Sequence, residues 1–176
     1  GAIACNAFLG TALALISARA WLPMWVGLVV ANACVFFALV MMRRGISRFA
    51  GARTSWLEDL FIVALATFGL AVSLHDRQGS LRVVVTQVPA IYLLAHTAWI
   101  ARRHLDGEFG TKAARMCALP IFVIALLQVA RFAGSLLDPS RFVLRIDEAT
   151  TANVFYTLST MVGGLCINMP VLTMVI

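Results

Sequence analysis

Few side chains in this sequence are able to do chemistry. Several of these few lie within long apolar runs. Five of them form the candidate ligand pocket: Gln87, Gln128, Arg131, Asn153 and Tyr156. Gln128 and Arg131 are three residues apart and therefore share a face of a helix. A cation among apolar residues needs a compensating partner, so Arg131 predicts an anionic or amphipathic ligand. The alternative is that Arg131 extends to lipid headgroups at the nearby end of its helix.

The sequence contains no pattern typical of a catalytic or metal centre. Its four cysteines lie in or beside separate apolar runs, without a CxxC pair, and are best explained as small core residues: Cys5, Cys34, Cys117 and Cys166. His96 is the one histidine well inside an apolar run, and a bis-histidine haem would need a second. We therefore interpret His96 as a hydrogen-bonded core residue that helps helix packing; the alternative is a proton relay. We expect no catalytic, cofactor-binding or metal-binding residue in this segment.

The composition indicates that lipid surrounds much of the chain. Hydrophobic residues make up 61% of the 176 residues and charged residues 12%, and the mean hydropathy is +0.92. That is more apolar surface than one soluble core of this length buries. The net charge of +6 comes from basic residues in short segments between apolar runs. This distribution is typical of membrane topology and argues against a nucleic-acid partner.

The apolar runs predict an all-α fold, a polytopic transmembrane bundle with six visible spans. A spanning helix needs about 20 apolar residues. The predicted helices cover residues 2–18, 21–42, 56–74, 83–101, 116–137 and 152–176. The first two are joined so closely that they must form a tight antiparallel hairpin.

Basic residues predict the orientation of these spans. Two alternate loops carry eight of them: Arg43, Arg44, Arg48, Arg53, Arg102, Arg103, Lys112 and Arg115. The opposite side carries six, which favours a cytoplasmic location for both visible ends. The five pocket candidates then fall in one depth layer of the outer half of the membrane, on the helices 83–101, 116–137 and 152–176.

Other residues are assigned to helix packing and to signal transmission. Asn32 lies about halfway along its span, where an amide can cross-link helices by hydrogen bonding. Gly163 and Gly164 belong to overlapping small-xxx-small pairs that permit close helix packing, within the bundle or across a dimer. Pro170 bends the last helix and is the predicted signal-transmission hinge.

The segment WLPMWVGLVVANACVFFALVMMRRGISRFAG, residues 21–51, resembles a pattern in the amino-terminal membrane domains of bacterial GGDEF-type diguanylate cyclases. The features that carry the resemblance are Leu22-Pro23, Ala31-Asn32, and the exit formed by Gly45, Arg48, Phe49 and Gly51. The segment LLQVARFAG, which contains Arg131, is similar to the end of a later span in the same family.

The resemblance implies parts that the 176 residues do not include. One is a further helix before residue 1, which would make seven spans. The other is a cytoplasmic GGDEF domain after residue 176, which would convert two GTP molecules into cyclic di-GMP with Mg²⁺ and work as a homodimer. The chain itself would then be a sensory and regulatory domain in the bacterial inner membrane. Its partners would be membrane lipid, a second copy of the chain and a small anionic or amphipathic ligand.

Three alternatives remain open at this stage. A sensor histidine kinase can carry a similar membrane domain, and the residues after 176 would distinguish it from a cyclase. A small transporter or channel subunit is disfavoured because no internal repeat is evident. A membrane-embedded enzyme is disfavoured because the spans offer few titratable groups.

Overall fold

A computed structural model describes residues 2–75 and 80–137 of the chain, which are helices joined by short turns. The helices are α1, Ala2–Ser17; α2, Ala31–Phe49; α3, Trp56–Ser73; and α4, Ser80–Leu137. A π-helical turn, Val26–Val30, leads directly into α2. The described residues contain no strand, so the predicted all-α fold class is confirmed.

Four of the helical stretches are long and apolar enough to cross a membrane. They are Val26–Phe49, Trp56–Ser73, Leu81–Gly107 and Gly110–Leu137. At 1.5 Å per residue, α1 is only about 24 Å long, which is short of a hydrocarbon core of about 30 Å. The described part of the chain is therefore a bundle with four candidate spans. Six spans are not confirmed, and the predicted last span, 152–176, lies outside the described residues.

The tight hairpin predicted at the amino end is present. Pro23 accepts hydrogen bonds from the backbone N–H groups of Val26 and Gly27, and α1 packs mainly against α2. A Cβ atom added to Gly27 would lie 3.1 Å from Cβ of Arg19. Glycine therefore allows the two chain segments to approach this closely at the corner.

The α2 helix ends at Phe49, seven residues beyond the predicted end at residue 42. Gly51 stops it with a φ of 64°, a left-handed conformation that glycine adopts without steric cost. The N–H of Ala52 then donates to the carbonyl of Ser47 at 2.8 Å, and that of Gly51 to Arg48. These two bonds form a Schellman motif. As a result, Arg43 and Arg44 belong to the helix and not to the following loop.

The α4 helix consists of two arms, 80–109 and 111–137, separated by Gly110, whose φ of 80° and ψ of 161° are not helical. Buried residues of both arms, from Leu94 to Ala125, share one apolar cluster with residues 42–50 of α2. A straight helix would place Leu94 and Ala125 about 46 Å apart, whereas residues 42–50 extend about 12 Å. The two arms must therefore fold back on each other at Gly110. The segment 102–115, predicted as a loop, is helical apart from this kink.

Close packing of α3 against the first arm of α4 depends on Gly69. A Cβ atom at this position would lie 2.8 Å from Cγ1 of Val85. Valine is stiff at its first side-chain torsion and has little freedom to move away. The same contact region contains the second apolar cluster, which includes Phe36, Val63 and Leu93.

We expect Gly69→Ala to destabilise the bundle because the new methyl group overlaps Val85, an effect of about 1–3 kcal/mol for overpacking. Thermal unfolding of the purified chain in detergent measures it. Gly10→Ala is the matched control, since Gly10 is also helical but has no atom within 4 Å of an added Cβ. Equal unfolding temperatures for the two variants would contradict this account of the α3–α4 contact.

Candidate functional site

The most concentrated group of polar side chains lies where the end of α2, the start of α3 and the middle of the first α4 arm meet. We call it the charge cluster: Arg43, Arg44, Glu58, Asp59 and Tyr92. Three of its members are almost inaccessible, with exposures of 1% for Arg43, 8% for Arg44 and 0% for Asp59. Two cations and two carboxylates give the cluster no net formal charge.

Asp59 is the centre of the cluster because it contacts both arginines. Nε of Arg44 donates to Oδ2 of Asp59 at 2.7 Å, and Nη1 of Arg43 lies 3.1 Å from Oδ1. On the other side, Oε1 of Glu58 accepts from Nη2 of Arg43 at 3.0 Å and from the hydroxyl of Tyr92 at 2.6 Å. The chain of contacts therefore connects α2, α3 and α4.

Aromatic rings cover the two guanidinium groups. Cζ of Arg44 lies 3.6 Å from the centre of the Trp56 ring, and Cζ of Arg43 lies 6.0 Å from that of Tyr92. The negative face of an aromatic ring attracts a cation, most strongly where water is excluded. Trp56 and Tyr92 remain about half exposed at 47% and 44%. They form the outer wall of the cluster.

The local sequence explains how the charges meet. Arg43 and Arg44 are consecutive near the end of α2, and Glu58 and Asp59 are consecutive in the first turn of α3. The short connection closed by Gly51 brings these two helix ends together, so each arginine contacts the residue fifteen positions later. Carboxylates in the first turn are further favoured by the helix dipole.

The charge cluster lies at one end of the membrane-spanning region. Trp25 lies just before the first candidate span, Val26–Phe49. It is nineteen residues, or about 28 Å, from Arg44. This is close to the thickness of the hydrocarbon core, about 30 Å. Trp25 is 57% exposed and Trp56 47% exposed, as expected for tryptophans at the two membrane interfaces.

His96 extends the aromatic wall along α4. Its ring stacks on Tyr92 at 5.8 Å and on Trp99 at 5.6 Å. The side chain is half-buried, and Nδ1 is buried without a hydrogen-bond partner. The structure thus places His96 in a surface stack beside the charge cluster.

Three of the five predicted pocket residues lie in the described part of the chain. Gln87, on the first arm of α4, is 4% exposed, and Gln128, on the second arm, is 5% exposed. Arg131 is half-buried and already has an interaction of its own. Asn153 and Tyr156 lie outside the described residues, so the full predicted pocket stays a prediction.

The predicted packing residues have mixed outcomes. The Asn32 amide donates to the carbonyl of Leu28, one turn back in its own helical segment, at 2.7 Å. It bonds within the π-helical turn and not to another helix in the described structure. Gly163, Gly164 and Pro170 lie outside the described residues. Within 2–75 and 80–137, no group of three or more His, Cys, Asp or Glu side chains is arranged to hold a metal ion.

Sequence reasoning missed the charge cluster because it assigned Arg43 and Arg44 to a cytoplasmic loop by counting basic residues. The missed signal was the equal spacing of fifteen residues between an Arg-Arg pair and a Glu-Asp pair. A short connection between two helices brings such pairs to the same level.

Comparisons with known proteins add no identification. No family model matches the chain, and neither a curated protein nor a solved structure matches it significantly.

We expect Asp59→Asn to destabilise the bundle by about 3–5 kcal/mol, because two buried arginines would lose their shared counter-charge. Thermal unfolding in detergent, checked by the loss of helical circular dichroism, measures this change. Asp106→Asn is the matched control, since Asp106 is exposed on α4. If both variants unfold like the wild type, the buried ion pairs do not stabilise the bundle.

Proposed function

We propose that this chain is the membrane input domain of a bacterial signalling protein, and that the complete protein is a diguanylate cyclase of the inner membrane. Two lines of support are independent of each other. The segment 21–51 resembles the membrane domains of that family, and the described residues form a helix bundle with four candidate spans. The charge cluster begins inside the same segment, at Arg43.

The charge cluster is the observation that carries the proposal. It joins α2, α3 and α4 through three ion-pair contacts and the hydrogen bond from Tyr92 to Glu58. A transporter or channel needs polar groups open to the passing solute, whereas Asp59 and Arg43 are closed off, at 0% and 1% exposure. A closed ionic contact between three helices is suited to holding them as one unit.

A unit of this kind would favour a few discrete helix arrangements over a continuous range of positions. Removing one partner of a buried ion pair is costly, so intermediate positions in which one charge is exposed to apolar surroundings are disfavoured. A ligand shifts such an equilibrium only if it binds the two arrangements with different affinity. The change would reach the output domain through the last helix and Pro170.

The output domain follows from the resemblance alone. A GGDEF domain after residue 176 would bind GTP and Mg²⁺ and act in a homodimer, with catalysis outside these 176 residues. The charge cluster would then lie on the cytoplasmic side, next to the segments that carry most of the basic residues.

The proposed topology is tested by cysteine labelling in a background where the four native cysteines are replaced by alanine. Trp21→Cys, at a corner residue that is 90% exposed, should react in intact cells with a maleimide that cannot cross membranes. Gly107→Cys, near the kink of α4, should react only after the cells are opened. Labelling of Gly107→Cys in intact cells would show that the topology is the opposite of the proposed one.

The proposed output is tested with the complete open reading frame, expressed in bacteria that lack diguanylate cyclases. We expect cyclic di-GMP to accumulate, and we expect Asp59→Asn to change its level at equal membrane abundance, since the input domain would be uncoupled. Asp106→Asn is again the control.

Two results would contradict the proposal and identify a different function. Transfer of phosphate from ATP to a histidine of the same protein, without cyclic di-GMP, would identify a sensor kinase. Solute flux into liposomes that contain only residues 1–176 would identify a transporter or channel.

A further inference from the structure

Among the described residues, three buried side-chain oxygens outside the charge cluster have no hydrogen-bond partner: Oγ1 of Thr67 on α3, and Oε1 of Gln87 and Oε1 of Gln128 on α4. The two glutamines are only 4% and 5% exposed. Buried polar groups are almost always paired, and each unpaired one needs an explanation such as a bound water, ion or ligand. The two glutamines lie on the two arms of one hairpin, so one bound molecule would account for both of their oxygens.

Helical periodicity places both glutamines on the seam between the arms of α4. Gln87 precedes Leu94 by seven residues, and Gln128 follows Ile121 by seven. Seven residues amount to about 700°, so each pair points in the same direction to within about 20°. Leu94 and Ile121 belong to the apolar cluster that the two arms share and are 2% and 0% exposed. The glutamines therefore continue this seam beyond its apolar part.

The two glutamines also lie at similar levels. Gln87 is 23 residues before Gly110 and Gln128 is 18 residues after it, where the arms fold back. The difference of five residues corresponds to about 7.5 Å along the axis. This offset is short enough for one small molecule to contact both side chains.

The unpaired atoms indicate which hydrogen-bonding groups a ligand at the seam would have to supply. Both are carbonyl oxygens, which accept hydrogen bonds and attract positive charge. Arg131, three residues after Gln128, already has an interaction of its own. Among the described residues, the open groups at this level are therefore acceptors, which do not favour the anion expected from Arg131 in the sequence.

We infer that the polar end of the α4 seam, marked by Gln87 and Gln128, binds a small amphipathic molecule that donates hydrogen bonds from a hydroxyl or an ammonium group. The apolar part of such a molecule would lie against the apolar seam and its donor between the two amides. The identification of this molecule as the stimulus rests on the proposed function. The binding itself does not, because it is measured on the chain without any output domain.

The test compares amphipathic probes of similar length that do or do not donate hydrogen bonds. The purified chain in lipid nanodiscs is titrated with 1-decanol, with decylammonium and with 1-methoxynonane, an ether of the same chain length that accepts but does not donate. We expect the alcohol and the ammonium to raise the unfolding temperature, and the ether to give only the smaller shift caused by partitioning into lipid. The apparent Kd for decanol should rise about tenfold in Gln87→Leu and in Gln128→Leu, the loss of roughly one hydrogen bond.

Thr97→Val is the matched control for these variants. Thr97 is fully buried on the same arm of α4 as Gln87, but its hydroxyl already donates to the carbonyl of Leu93 at 2.5 Å. This variant should bind decanol like the wild type. If a glutamine variant proves too unstable, the comparison of decanol with the ether on the wild type decides the question. Equal shifts for alcohol and ether, or unchanged affinity in both leucine variants, would overturn the inference and leave ordered water as the partner of the two oxygens.

Discussion

The described bundle depends on one carboxylate. Asp59 contacts Arg43 and Arg44 simultaneously and is fully buried, so two buried guanidinium groups share one counter-charge. Without it, Arg43 would keep only Glu58 as an ion-pair partner and Arg44 would have no carboxylate partner among these contacts. Glu58 and Tyr92 then connect the same cluster to α4. The position of three helices at this membrane boundary therefore follows from a single ionic arrangement.

Such an arrangement specifies structure more than it adds stability. Burying two ion pairs costs desolvation energy that their attraction largely offsets, so an apolar substitute of equal volume can be as stable. The apolar contacts along Phe36, Val63 and Leu93 supply burial, but side chains of this kind tolerate small shifts between helices. Hydrogen bonds at 2.6 to 3.0 Å tolerate much less. The cluster thus fixes the register that the apolar packing leaves adjustable.

The sequence predicts the helical class and the approximate position of α1 and α3, because long apolar runs leave few other solutions in lipid. It is less informative about helix ends. The end of α2 at Phe49 depends on partners in α3 and on the Schellman motif at Gly51, and neither is visible in hydropathy. The segment around Gly110 is likewise predicted as a loop, because its charged residues give it the composition of one. The pocket role of Gln87 and Gln128 stays a prediction, and the unpaired state of their buried oxygens is visible only in the coordinates.

The π-helical turn at Val26–Val30 has a consequence for the whole of α2. A π turn accommodates one residue more than the regular helix, which advances the phase of everything after it by about 100°. Because the turn precedes α2, it sets the orientation in which the whole of α2 contacts α1, α3 and α4. The Asn32 amide, bonded to Leu28 at 2.7 Å, secures a backbone oxygen at this phase change. One short turn thus orients the helix that both packs against α1 and carries the two arginines of the charge cluster.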